Sequence, residues 1–391
     1  MTDAPAPDPL PILETLIKCP TVTPDSGAAI DYLEGLLAAN GFACNRLKFS
    51  AADTYDVDNL FARFGKGAPH LCFAGHVDVV PPGPEDKWTH PPFAAAQANG
   101  FIYGRGAADM KGSVAAFAAA AIASAKQGGL PGSVSLMITG DEEALAINGT
   151  AKILAWMKET GNLPDHCIVG EPTSEKKLGD TVKIGRRGSL SFDVSITGTQ
   201  GHVAYPKKAD NPIPKLARLI DRLARLKFDK GNEHFGPTTL AFTTVDVGNT
   251  AGNVIPEKAA AKFNIRFNTE HTVESLIERV REVCAAVERE RGGKFELSPH
   301  LSAEAFVTEP GPFLGVILDA IEEETGTIAR LSTSGGTSDA RFIKNYCPVL
   351  ELGPLNQTIH KIDERIAIED LRGLSRIYYD IIENYARRPS A

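Results

Sequence analysis

LCFAGHVDVVPPG, residues 71–83, joins an apolar run to a histidine and an aspartate spaced two apart. An apolar run this continuous reads as a strand buried on both faces, which belongs in a parallel sheet covered by helices. On an extended segment, His76 and Asp78 point the same way, so Asp78 is placed to fix the His76 imidazole from behind.

The neighbouring sequence repeats the pattern. SVSLMITG (133–140) and CIVG (167–170) read as further buried strands, and SVAAFAAAAIASAK (113–126) between them reads as a helix. Residues 10–18, 28–39 and 149–160 have helical spacing as well. Strands alternating with helices predict an α/β fold with a mainly parallel sheet covered by helices on both faces. Ligands of such sheets sit outside the carboxyl ends of the strands. There the chain places His76 and Asp78, then Asp141, Glu142 and Glu143, then Glu171, and, beyond PVLELGP (348–354), His360. Asp109 is expected to open the helix that follows the GRGAA loop.

Taken singly, each of these is an ordinary turn, cap or hydrogen-bonded residue. Jointly they make a ligand set of two histidines and several carboxylates without cysteine, which suits zinc, manganese or cobalt at a hydrolytic centre. A two-metal centre needs a bridging carboxylate and a further acid to handle the attacking water, and Asp109, Glu142 and Glu143 can supply both.

Composition points the same way. The 391 residues exceed one ordinary core, so two domains are expected, and 43% hydrophobic residues are ample to fill them. A net charge of -8 argues against a general nucleic-acid binder. The six cysteines are scattered without a CxxC pair and read as reduced core residues. The start, MTDAPAPDPLP, lacks a basic and apolar leader, and no apolar stretch approaches a membrane span. A soluble cytoplasmic protein with no membrane partner is expected.

Rival motifs are weaker. GRGAAD (104–109) starts like a dinucleotide fingerprint, but Asp109 would oppose a pyrophosphate. Ser338 and Asp339 with His360 suggest a triad, yet no nucleophile elbow accompanies them.

HVDVVPPG, YGRGAADMKG, TGDEEALAINGT, VGEP, RRGS, GHVAYP, NVIP, SGGTSDARF and LGPLNQTIHKIDE occur in this order. Across roughly residues 10–385 they resemble the zinc aminoacylase/carboxypeptidase family usually called M20. The last two are most similar to its branch acting on succinylated diamino acids. Asp363 is a departure, standing where asparagine often precedes the glutamate.

The resemblance implies two zinc ions, replaceable by cobalt: one held by His76, Asp109 and Glu171, the other by Asp109, Glu143 and His360. It implies Glu142 as general base, Asp78 as the partner of His76, and His202 as an oxyanion donor reaching the other subunit's site. Arg187, Ser189, Tyr205, Asn253, Arg266, Gly336, Thr337 and Asn356 match substrate-binding positions. The implied reaction is hydrolysis of N-succinyl-LL-2,6-diaminopimelate to succinate and LL-2,6-diaminopimelate. Another amidase of the family, such as an acetylornithine deacetylase, and a non-catalytic binding protein of the same fold are the alternatives.

The implied architecture is a zinc peptidase-like catalytic domain, residues 1–181 and 299–391, with an inserted ferredoxin-like α+β dimerisation or lid domain at 182–298. The implied assembly is a homodimer. Local patterns in the insert fit independently. SLSFDVSITG (189–198), TTLAFTTVDVG (238–248) and KAAAKFNIRFN (258–268) are strand-like, while PIPKLARLIDRLARL (212–226) and TVESLIERVREVCAAVERE (272–290) are helical.

Overall fold

The computed structural model describes residues 8–127 and 132–387; the proline-rich start at 1–7 lies outside them. The chain forms two compact units. The first comprises residues up to Ile184, Thr308–Ser332 and the chain from Ser338; the second comprises Gly185–Val307 and Thr333–Thr337.

At the centre of the first unit, four strands run parallel in the order Ser133–Thr139, His70–His76, His166–Val169, Val349–Glu351. His70–His76 and Ser133–Thr139 are buried at every residue, as strands covered on both faces should be. The eight-stranded sheet is mainly parallel, as expected, with antiparallel pairings toward its sides. Ala43–Phe49 and Val57–Gly65 add antiparallel strands at one side, because the short link between them leaves no room for a crossover helix. At the other side Thr181–Lys183 meets Val349–Glu351 antiparallel, and Arg330–Ser332 pairs parallel beyond it.

Helices flank this sheet. Gly112–Lys126 is buried along nearly its whole length, since its alanines allow close approach. It packs on Ile368–Arg387, and Phe73 of the central strand meets Phe117 and Tyr378 of these two helices at ring centroids of 4.5 and 5.7 Å. Asp109 does not open this helix. Ala107–Lys111 forms an irregular turn in which Asp109 has extended dihedrals, and the helix begins at Gly112. The N–H groups of Ala108 and Asp109 are taken by the Glu364 carboxylate rather than by a helical turn.

The second unit carries a four-stranded antiparallel sheet, ordered Thr239–Asp246, Lys258–Phe267, Gly188–Thr197, Phe295–Ala303. Helices Ile213–Ala224 and Val273–Arg291 bury Leu216, Leu219, Leu223, Leu276, Val280 and Val287 in the same core as Phe192 and Phe263 of the sheet. Thr272 and Ser275 cap the longer helix reciprocally, side chain to backbone. A boundary at residue 298 cuts through Phe295–Ala303, which pairs with Gly188–Thr197 as far as Ala303, and the pairing of Val307 with Gly185 closes the unit.

Candidate metal centre

The four parallel strands end at one rim of the first unit. His76 is the last residue of its strand, Glu142 and Glu143 follow Ser133–Thr139, and Glu171 follows His166–Val169. Asp109 arrives on the turn before the alanine-rich helix. His360 comes from the loop beyond Val349–Glu351 and sits at φ 58°, a left-handed conformation that a non-glycine residue adopts only when its surroundings impose it.

Asp109 lies between the two histidines. Its Oδ1 is 3.3 Å from His76 Nε2 and its Oδ2 is 3.3 Å from His360 Nε2. Glu171 is 4.0 Å from His76 Nε2, and Glu143 Oε1 accepts from His360 Nε2 at 2.9 Å. His76 Nε2 and Asp109 Oδ1 are buried without a hydrogen-bond partner. Buried donors with free lone pairs, aimed at one another, are what a cation would satisfy. Two groups have ligand atoms within 4.8 Å of one another: His76, Glu142 and Glu171, and His76, Asp109 and Glu143. They overlap the sets implied by the family resemblance but draw Glu142 into one and His76 into both.

Charge is concentrated here. The carboxylates of Asp109 and Glu143 push His360 up to about 10. Burial opposes ionisation of Asp109, but His360 and His76 outweigh it and hold the group below the usual carboxylate range. Burial, and then the neighbouring Glu171, raises Glu142 well above that range.

Asp78 does something other than expected. The His76 Nδ1–H donates to the Asp78 backbone carbonyl at 2.9 Å, while the Asp78 carboxylate is 3.7 Å from that nitrogen. Its Oδ1 accepts the N–H of Glu142 at 3.2 Å, and its Oδ2 accepts the N–H of Glu143 at 3.0 Å and the Thr23 hydroxyl at 2.9 Å. The main chain of Asp78 fixes the imidazole tautomer, leaving the Nε2 lone pair able to bind a cation, and the side chain fixes the glutamate loop.

No triad forms around Ser338. Its hydroxyl donates to Glu351 at 2.6 Å, and Asp339 accepts from Thr150 at 2.6 Å. Asn356 is half-buried in the same unit. Residue type alone gives no sign of Thr23, Lys111, Arg105 and Glu364, which hold the rim largely through backbone groups. Lys111, fully buried, donates to the carbonyls of Leu16 and Cys19 at 3.0 and 2.9 Å.

The other candidates belong to the second unit. Ser189 and Arg266 face each other in register on adjacent strands. Arg266 Nη1 is buried without a hydrogen-bond partner, and burial together with the like charge of Arg187 lowers the pKa of this guanidinium. Such a pair is prepared for an anion. Gly336 accepts from Arg186 at 3.1 Å through its carbonyl, and Thr337 follows it, half-buried. His202 and Tyr205 are exposed, as is Asn253, whose carbonyl accepts the Val203 N–H at 3.0 Å. The Ala204 N–H donates to His202 Nδ1 at 3.0 Å, so a neutral imidazole carries its proton on Nε2 and presents it outward as a donor.

Residues 72–384 match the model of peptidase family M20/M25/M40. A Parvibaculum lavamentivorans protein named succinyl-diaminopimelate desuccinylase is 53% identical over 97% of this chain and 95% of its own length. One of the same name from Rhodospirillum centenum is 50% identical over 97% and 98%. Among solved structures, aminopeptidase PepT from Bacillus cereus superposes with a TM-score of 0.79 at 20% identity, covering 97% of this chain and 98% of that one. A Bacillus subtilis protein described as a dinuclear metal binding peptidase gives 0.71 at 16% identity, with 96% and 97% covered. At these identities the structural likeness speaks for the fold alone. Motif, fold and rim geometry agree with the match over most of the length: the chain belongs to peptidase family M20/M25/M40.

Proposed function

We propose that this chain hydrolyses the amide bond of N-succinyl-LL-2,6-diaminopimelate, releasing succinate and LL-2,6-diaminopimelate on the route to lysine. The observation that carries this reading is identity of 50–53% with curated succinyl-diaminopimelate desuccinylases over nearly the whole chain. The rim supports it, since a residue of the expected type stands at each ligand and base position that the family resemblance implies.

In this reading His76, Asp109 and Glu171 would hold one zinc ion, Asp109, Glu143 and His360 would hold the second, and cobalt could substitute. Imidazoles and carboxylates without thiolate fit that choice. Bound there, two such ions would acidify the attacking water and draw charge from the amide oxygen. Glu142 removes a proton from the water as its oxygen bonds to the amide carbon. It returns that proton to nitrogen as the carbon–nitrogen bond breaks, leaving carboxylate and amine. A positioned base of this kind contributes about 10² to 10⁴ in rate. Asp78 keeps both His76 and the Glu142 loop in place.

Arg187 and Arg266, with Ser189 beside them, take carboxylates of the substrate, and Tyr205, Asn253, Gly336, Thr337 and Asn356 complete its contacts. His202 donates its Nε2–H to the oxyanion in the other subunit of a homodimer built through the inserted unit. The exposed face of the edge strand Thr239–Asp246, with Val245 59% exposed, supports that assembly. Six free thiols suit a reducing compartment, and the protein is assigned to the cytoplasm. Among the described residues no helix is long and apolar enough to cross a membrane.

The deciding assay offers the zinc-loaded protein N-succinyl-diaminopimelate beside N-acetylornithine. Turnover of the first and not the second is expected; equal turnover would remove the succinyl preference.

A further inference from the structure

We propose that Arg105 and Glu364 form a buried clamp that positions Asp109 and His360 for metal, acting through the backbone without touching the ion. The inference rests on the ligand assignment made above.

Arg105 and Glu364 are 3% and 0% exposed and pair at 2.7 Å. Buried ion pairs add little net stability, because desolvation offsets their attraction, so the arrangement asks for another purpose. The bonds supply one. Glu364 Oε2 accepts from Arg105 Nη1 and from the Gly106 N–H at 3.0 Å. Glu364 Oε1 accepts the N–H groups of Ala108 and Asp109 at 2.9 and 3.0 Å. Both carboxylate oxygens are thus spent on the turn that presents Asp109.

Arg105 extends the hold to two further ligand segments, those of His360 and His76. Its Nη1 donates to the Lys361 carbonyl at 3.1 Å, next to His360, and its Nη2 reaches the Pro81 carbonyl at 3.4 Å, in the segment that follows His76. Its guanidinium lies 5.3 Å from the centre of the Trp88 ring, and Trp88 Nε1 donates to the Pro82 carbonyl at 3.0 Å.

The loop and turn held this way are ones that would not keep their shape alone. His360 and Asp363 have φ of 58° and 59°, and Asp363 is tied at 2.7 Å to both the N–H and the hydroxyl of Thr89. Gly106 has φ 83°, and a Cβ there would lie 2.6 Å from Val79. Metal ligands must be placed to within a few tenths of an ångström, so a support shared by three loops matters more for the ion than for the fold.

The test strips metal from native protein and from Glu364→Gln and Arg105→Lys, then follows cobalt return by calorimetry and by the visible absorption of the bound ion. The side-chain amide introduced by Glu364→Gln cannot accept all four donors, and the lysine keeps the charge but loses the fork. About 10- to 100-fold weaker uptake of at least one ion is expected, with an altered absorption spectrum and kcat falling more than KM rises. Arg105→Lys should show the milder form, and it decides the matter alone if Glu364→Gln does not fold. Folded variants with native cobalt affinity and spectrum overturn the clamp, even if their thermal stability is lower. Native protein that takes up no cobalt would sink the ligand assignment, and the clamp with it.

Discussion

The rim of the first unit and the Gly201–Pro206 loop of the second hold their polar residues in opposite ways. His76 and Asp78 are 1% and 0% exposed and bonded on every side but one, whereas Val203 and Tyr205 are 45% and 61% exposed beside an outward His202. A buried polar group must be satisfied where it stands, and the two rim atoms left without a partner, His76 Nε2 and Asp109 Oδ1, face each other where a cation would complete them. The loop bears no such cost and can keep a donor in reserve for an encounter. Preorganised ligands in one region and a deferred donor in the other are what the proposed dimeric mechanism requires.

The largest effect that would sharpen this contrast is at Glu142. Glu142→Gln should lower kcat by about 10² to 10⁴ with metal content unchanged, because it removes proton acceptance and little else. Near-native turnover in a folded, loaded variant would remove Glu142 as the base.

Next comes His202, where the alanine variant should lose about 10² to 10³ in kcat. Mixing inactive His202→Ala with inactive Glu142→Gln subunits then tests the deferral itself. A mixed dimer owns one site with both groups intact, so activity should return. Mixed dimers that demonstrably form and stay silent would place His202 outside the partner's chemistry.

The smallest effect concerns Arg266. Losing one charge-assisted bond to a substrate carboxylate should cost about 10- to 100-fold in kcat/KM on the succinylated amine. It should cost less on an acetylated one. Equal losses on both would mean that the arginine reads a feature they share.

Much of this is legible in the chain because apolar runs and strand-end acids are local. HLCFAGH and SVSLMIT are buried at each position, as continuous apolar strands between helices must be. The helices of the insert keep their period for the same reason. What stays hidden depends on partners far along the chain or on main-chain atoms. Spacing alone points the Asp78 carboxylate at an imidazole two residues away, yet it serves backbone N–H groups 64 and 65 residues on. Glu364 reaches the Asp109 turn across 255 residues, and a carboxylate that binds main chain leaves no complementary residue type to notice. The antiparallel side strands escape the sequence pattern because strand direction depends on connections, not on composition.

The place of Val349–Glu351 has a consequence for synthesis. This late strand lies inside the eight-stranded sheet, sixth in order, between His166–Val169 and Thr181–Lys183. The inserted unit, by contrast, is nearly contiguous from Gly185 to Val307. As the chain leaves the ribosome, the insert can close while the surrounding unit still waits for this inner strand and for Ile368–Arg387. Until then His166–Val169 shows an unpaired edge, so the half-made enzyme would be more vulnerable to stray strand pairing than the finished one ever is.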